Sequence, residues 1–367
     1  MQFAATFGYL HKIASYTFNS IVIYAWRQLI ERPPTTNSDN PFIPLPVMAE
    51  TGKNISKAIQ ILESGGLVAI PTETVYGLAA NAFNPDAVAR IFEVKNRPWF
   101  DPLIVHCSGL AETEHIVKEI PKLARSLAEK FWPGPLTMLM NKQDNISDLV
   151  TAGMQKVAIR VPDHPLTRTL LKSLDFPLVA PSANPFGYVS PTTAQHVNQQ
   201  LGDHIDYILD GGECHIGIES TIVGFDNDTT VVYRLGGLEP ESIESITGKI
   251  VLRPHSASNP IAPGMLESHY APGKRIILGN VDELLKKHDA DKTGIIRFKP
   301  QADNKTSGKE MYLSVTGDLR EAAKNLFSVL RKMDTMDVEV ILAEKVPEEG
   351  LGLAINDRLK RAAGKRM

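Results

Sequence analysis

Residues 54–70 read NISKAIQILESGGLVAI, and this stretch decides the fold class. Ile55, Ala58, Ile59 and Leu62 recur at helical spacing, Gly65-Gly66 stop the helix, and Leu67-Val68-Ala69-Ile70 is a short apolar run. A run of that length between breakers is typical of a strand buried on both faces. The alternation repeats downstream. A helix is predicted over 85–94, with Asn84 as its cap and Pro85 in its first turn, and a second buried strand over 103–106. Two helices are predicted near 111–119 and 122–131, with short strands at 136–140, 157–159, 177–180, 221–223 and 231–233. Helices around 166–172 and 193–201 fall between them. The reading is an α/β domain with a mixed, twisted sheet and flanking helices.

The 367 residues allow two domains, and 39 basic against 42 acidic side chains leave a charge of −3. That total excludes a polycationic coat for nucleic acid or anionic membrane, so any polyanion site must be local. Cys107 and Cys214 are the only cysteines, which excludes a disulfide framework and cysteine-based zinc sites and fits a reducing, cytoplasmic setting. Residues 13–26 carry no charge but are too short for a membrane span, and no signal-peptide cleavage pattern follows. Residues 1–47 are read as an accessory extension, with a transit peptide or a start at Met48 as alternatives. The expected organisation is a catalytic domain over 48–254, a Pro- and Gly-bracketed linker over 255–273 and a smaller α/β domain over 274–367. In the last, strands are predicted at 275–278, 294–298 and 338–342, with helices near 281–288, 319–333 and 351–363.

The chain has no Gly-x-Ser-x-Gly elbow, no P-loop and no Gly-x-Gly-x-x-Gly after a strand. A nucleotide would have to be held by side-chain cations and hydroxyls. Lys95 and Arg97 close a predicted helix, where the dipole alone favours cations. Arg160 and Arg234 each end an apolar strand, and a buried guanidinium needs an anion. Spacing does not choose between an internal carboxylate and a ligand for Arg160; the repetition at Arg234 leans toward a shared anion. His106 on its strand reads more readily as a hydrogen-bonded core residue than as a catalyst, His164 as a turn residue and Trp132 as a packing anchor. Cys214-His215 is half a metal site without its other half.

Several motifs in one order carry a resemblance: IPTETVYGL (70–78), KNRP (95–98) with PLIVH (102–106), FWPGPLT (131–137), AIRVP (158–162), APSAN (180–184) and ESTI (219–222). Arg234, PGM (263–265), SHYAP (268–272) and GLGLAINDRL (350–359) extend it. Together they resemble the YrdC-type domain and C-terminal domain of long-form threonylcarbamoyl-AMP synthases. The resemblance implies a YrdC-like twisted mixed sheet followed by a smaller Rossmann-like domain. It implies an enzyme that joins L-threonine, bicarbonate and ATP, with Mg²⁺ on the triphosphate, and releases pyrophosphate. Its product passes to the machinery that places threonylcarbamoyl on tRNA adenosine. A carbamoyltransferase-related enzyme and a non-catalytic RNA-binding module are the rival readings; the first would need zinc-finger cysteines that this chain lacks, and the second a continuous basic surface.

On the family's pattern, Thr74, His106, Arg160, Ala180 and Ser220 are expected around L-threonine. Arg97, Asp101, Lys156, Ser182, Ser190, Arg234 and Tyr270 are expected to face ATP, with Lys95 and Asn184 in support and no covalent nucleophile. Trp99-Phe100 depart from the polar residues usual in that loop, and Lys156 could contribute backbone alone. Tyr270 lies in the linker, so the resemblance also implies that the linker folds over the nucleotide as a lid.

Overall fold

Helix Ile55–Glu63 begins where the Asn54 side chain accepts the Lys57 amide at 3.1 Å, and its chain turns away through Gly65 at φ +80°. Ala58 and Leu62 are its buried face against the first core strand. The computed structural model describes residues 48–253, 262–263, 265, 270–301 and 309–364. The readings attached to residues 1–47 lie outside them.

Eleven strands form one mixed sheet: β1 (Glu50–Gly52), β2 (Val68–Ile70), β3 (Gly77–Asn81), β4 (Ile104–His106), β5 (Leu136–Asn141), β6 (Lys156–Arg160), β7 (Leu178–Val179), β8 (Tyr207–Leu209), β9 (Thr221–Asp226), β10 (Thr229–Arg234) and β11 (Ile250–Leu252). Their order is β1-β8-β2-β3-β7-β4-β6-β5-β9-β10-β11. Parallel pairs such as β4–β6 and β5–β9 alternate with antiparallel pairs such as β4–β7 and β5–β6. The register sets His106 directly beside Arg160, and Arg160 beside Thr137. On β4, Val105 enters the main core while Ile104 and His106 look the other way. That is the period-2 alternation of a strand, and it puts two polar-facing positions on one wall.

The second sheet has β12 (Arg275–Leu278), β13 (Thr293–Arg297), β14 (Glu310–Tyr312) and β15 (Val340–Ala343) in the order β12-β15-β13-β14, all parallel. Helices Leu319–Thr335 and Leu351–Ala362 pack beside it. Phe327, Leu330, Ile355 and Leu359 belong to the same apolar cluster as Val189 and Cys214 of the larger sheet's loops, so the two sheets share one core. Each fully buried aliphatic side chain there stabilises by about 1.5–3 kcal/mol. Among the described residues no helix is long and apolar enough to cross a membrane.

The sequence reading missed β1, β3, β8, β11, β14, helices Asp148–Thr151 and Pro240–Thr247 and the 3-10 turn Ala290–Lys292. Strand β3 is GLAAN, whose residues have low strand propensity; pairing with both β2 and β7 overrides that. The expected helix over 111–119 is only Leu110–Thr113. Beyond it Val117 pairs with Lys142, and the side chains of Gln143 and Asn145 take the Val117 and His115 carbonyls, so the chain is drawn to β5 instead of coiling.

Candidate active site

A cleft opens where the ends of β4, β6, β7 and β10 converge. Thr72, Arg97, Ile104, His106, Arg160, Ala180, Ser182, Glu219, Ser220, Arg234, Pro263 and Tyr270 are among its lining residues. Eight of the side chains expected from the sequence therefore meet in one place. Thr74, Asp101, Lys156, Ser190, Lys95 and Asn184 are not on the wall.

Each cation is held from behind. Helix Pro85–Lys95 ends at Asn96, left-handed at φ 50°, which turns Arg97 inward; asparagine tolerates that conformation better than branched residues. Arg97 Nε donates to the Asp101 carbonyl at 3.0 Å, Nη2 to the Pro102 carbonyl at 2.8 Å, and Nη2 lies 2.9 Å from Asp101 Oδ2. Asp101 is fully buried behind it, so its charge anchors the guanidinium rather than facing the cleft. Burial pulls the Arg97 pKa down, and Asp101 resists that shift.

Arg160 Nη2 lies 2.7 Å from Glu73 Oε1, and Nε donates to the Gly134 carbonyl at 3.3 Å. The Glu73 partner decides the choice that spacing left open: an internal carboxylate balances this arginine, while the arginine still lines the cleft. Glu73 Oε2 also accepts the Asp163 amide at 3.0 Å, so the acid is pinned on both oxygens. His106 sits beside Arg160 and is buried; burial first, then the Arg160 charge, pushes its pKa down to about 3. The ring is neutral at physiological pH and serves as a hydrogen-bonding surface. It is too weak a base to take a proton from an ammonium.

Arg234 Nε and Nη2 donate to the Ser220 carbonyl and hydroxyl at 3.0 Å each, and Nη1 donates to the Pro263 carbonyl at 3.2 Å. Burial lowers its pKa to about 10, which still leaves it charged. Ser220 Oγ also shares a hydrogen bond with Thr137 Oγ1 at 2.7 Å. The close approach of the chain here needs Gly236, where a Cβ would stand 2.3 Å from the Glu219 carbonyl. Tyr270, at φ +66°, is buried against Phe327 with ring centroids 5.5 Å apart, and burial raises its phenol pKa.

The residues off the wall support it. Lys95 is buried and donates to the carbonyls of Ser182 and Asn184, tying the end of its helix to the loop that presents Ser182. Burial, with Arg97 nearby, depresses its pKa well below the usual lysine value. Asn184 donates to the Pro185 and Tyr188 carbonyls, which holds the same loop. Thr74 bonds the Thr72 hydroxyl at 2.8 Å and is fully buried behind it. Ser190 donates to Glu219 Oε1 at 2.6 Å. Lys156 begins β6, at the end opposite Arg160, with Nζ 3.5 Å from the Phe225 carbonyl.

Thr72, Glu73 and Glu219 were not singled out from the sequence. Thr72-Glu73 lie inside the IPTETVYGL motif and Glu219 precedes Ser220, so motif membership was the available signal. Among the described residues, no group of three or more His, Cys, Asp or Glu side chains is arranged to hold a metal. The cleft's arginines are buried and bonded to internal carboxylates, carbonyls or a hydroxyl, unlike the continuous exposed basic surface of a nucleic-acid binder.

Threonylcarbamoyl-AMP synthase of Pyrococcus abyssi is 41% identical over 325 residues, covering 84% of this chain and 94% of the relative. The chain belongs to the threonylcarbamoyl-AMP synthase family. It is accordingly a transferase enzyme. The relatives of Bacillus subtilis, at 40% identity with 85% and 94% coverage, and Schizosaccharomyces pombe, at 35% with 90% and 94%, carry the same name. Residues 60–236 match the Sua5/YciO/YrdC family model, described as telomere recombination, and residues 238–364 match the threonylcarbamoyl-AMP synthase C-terminal domain. The crystal structure of P. abyssi Sua5 complexed with L-threonine superposes with a TM-score of 0.79 at 39% identity, covering 86% of this chain and 97% of that one.

Proposed function

We propose that the enzyme makes L-threonylcarbamoyl-AMP from L-threonine, bicarbonate and ATP, releases pyrophosphate, and supplies the product for threonylcarbamoylation of tRNA adenosine. The observation that carries this reading is one cleft lined by neutral His106, paired Arg160, Arg97, Ser182, Arg234 and Tyr270, in a family member 39% identical to a protein crystallised with L-threonine.

The chemistry asks for positioning and charge neutralisation. The threonine amine adds to the carbon of bicarbonate or CO₂, water is lost in the bicarbonate case, and a carbamate oxygen then displaces pyrophosphate from the α-phosphorus. No covalent nucleophile is needed. In this reading Arg160, oriented by Glu73, takes the threonine carboxylate, with His106, Ala180, Ser220 and the Thr72–Thr74 hydroxyl pair around the amino acid. Arg97, Ser182 and Arg234 line the ATP phosphates, Ser190 acts through Glu219, and Asp101 acts through Arg97. Lys156 joins this site only if the β6 end moves. Mg²⁺ carried on the triphosphate would neutralise part of its charge beside Arg97 and Arg234. Pro263 and Tyr270 bring the linker onto the cleft, which supports a lid that keeps water from the carbamate. The two free, buried cysteines suit a reducing cytoplasm.

Pyrophosphate release from ATP, measured with and without L-threonine and bicarbonate, tests the assignment. Release that needs both co-substrates is expected; release indifferent to either overturns it.

A further inference from the structure

The last helix of the chain reaches the cleft. Helix Leu351–Ala362 buries Leu351, Ala354, Ile355, Leu359 and Ala362 at helical spacing, and Arg358 lies on the same face with no exposed surface. A guanidinium there is costly unless anions meet it. Arg358 Nε lies 3.0 Å from Glu219 Oε2, Nη1 lies 2.8 Å from Asp357 Oδ2, and the guanidinium stands 5.1 Å from the Tyr270 ring centroid. Glu219 and Tyr270 both line the cleft. The other Glu219 oxygen accepts from Ser190. One buried carboxylate therefore links an arginine of the C-terminal helix to the wall that carries Ser220 and Arg234. The two units touch closely here: at Gly217, φ +81°, a Cβ would meet Lys324 Cα at 2.4 Å, so the loop approaching Glu219 lies directly on helix Leu319–Thr335.

We infer that Arg358 is a positioning residue of the active site, acting through Glu219 and Tyr270 to hold the nucleotide side of the cleft, so that the C-terminal unit is needed for ATP binding. The inference rests on the synthase reading above. It discriminates between the substrates because Ser190, Arg234 and Tyr270, proposed on the ATP side, touch Glu219, Ser220 or Arg358. Of the residues proposed around threonine, Ser220 follows Glu219 and accepts from Arg234, so it is shared between the two sides, whereas His106, Arg160 and Ala180 are braced by Glu73 and β4. A buried charge pair that sets the geometry of a wall acts on the ligand that wall binds.

The experiment measures pyrophosphate release by the full chain, with KM determined separately for ATP and L-threonine, for Arg358→Gln, Arg358→Lys, Glu219→Gln and the Arg358→Gln/Glu219→Gln double variant. Lys324→Ala is the control, because its half-exposed pair with Glu213 at 3.1 Å is an interdomain contact away from the cleft. The expected result is a rise in KM for ATP of roughly tenfold to a hundredfold with KM for threonine within about threefold, and a double variant no worse than the worse single one. Calorimetric titration with a non-hydrolysable ATP analogue should show the same loss. Where Arg358→Gln lowers the melting temperature, Arg358→Lys and Glu219→Gln carry the test. Equal losses for both substrates, additive single effects, or a Lys324→Ala variant matching Arg358→Gln would each overturn the positioning role. A wild-type enzyme without threonine-dependent release would instead overturn the synthase reading and leave the calorimetric arm to judge the positioning role.

Discussion

Two strand-end arginines in this molecule look alike and do different work. Arg160 ends β6 after Val157-Ala158-Ile159, and Arg297 ends β13 after Gly294-Ile295-Ile296. Both are buried. Arg297 meets Asp282 at 2.5 Å, Glu310 at 2.8 Å and Glu344 at 3.4 Å; burial opposes its charge, but these carboxylates outweigh it and raise its pKa. Arg160 has one carboxylate, Glu73, and borders the cleft. An arginine surrounded by acids commits each guanidinium nitrogen to a carboxylate within the fold, whereas one with a single acid beside an open wall keeps donors for a ligand. Arg234 is the extreme case, held by carbonyls and a hydroxyl, with its pKa lowered to about 10.

The comparison can be broken by substitution. The largest effect is expected at Arg160→Ala: kcat/KM for threonine should fall by about 10³-fold or more, since a charge-paired carboxylate and the orientation it provides are both lost. An Arg160→Ala enzyme with unchanged threonine affinity would sink the contrast. Next, Arg297→Met should lose about 3 kcal/mol of stability by leaving the buried Glu310 carboxylate uncompensated, while Asp282 and Glu344 can turn to water. Its kcat/KM per folded molecule should match the wild type; urea denaturation and a steady-state assay on the same samples separate the two. Arg234→Lys keeps the charge but not the planar fork, so a loss of roughly 1.5–3 kcal/mol in ATP binding is expected, read by calorimetry.

Histidine beside Arg160 sharpens the same contrast through pH. His106 has its pKa lowered from 6.5 to about 3, so the unfolded chain binds the proton that the folded chain refuses. Its contribution is complete above pH 6.5 and is lost as pH falls from 6.5 toward 3, at about 1.4 kcal/mol per pH unit. A His106→Asn variant should show a correspondingly shallower acid-side decline in denaturation free energy. His196, lowered to about 4, adds a similar slope that this substitution leaves in place. The smallest effect belongs to Lys324→Ala, a half-exposed pair worth less than about 1 kcal/mol in a denaturation titration.

Much of this is legible in the sequence. The period of Ile55, Ala58, Ile59 and Leu62 and the apolar run to Ile70 gave α/β order, because periodicity follows directly from which face is buried. Elements whose sequence is weak in local preference were not legible: GLAAN becomes β3 through pairing on both sides, and residues 114–117 leave a helical pattern to reach β5. The motif residues foretold the members of the cleft better than their posts in it. Asp101, Ser190, Lys95 and Thr74 stand behind the wall because each satisfies a neighbour's polar group, a relation between distant segments that spacing along the chain cannot express.

By itself the amino-acid sequence determined the layer order, the family motifs and the supply of cations without a nucleophile, all of which depend on residue type and local period. Only the tertiary structure decided which arginines are saturated and which remain open, and that Arg358 meets Glu219 across 139 positions of chain. Charge balance in a buried site is a property of neighbours within a few ångströms, and those neighbours are chosen by the fold.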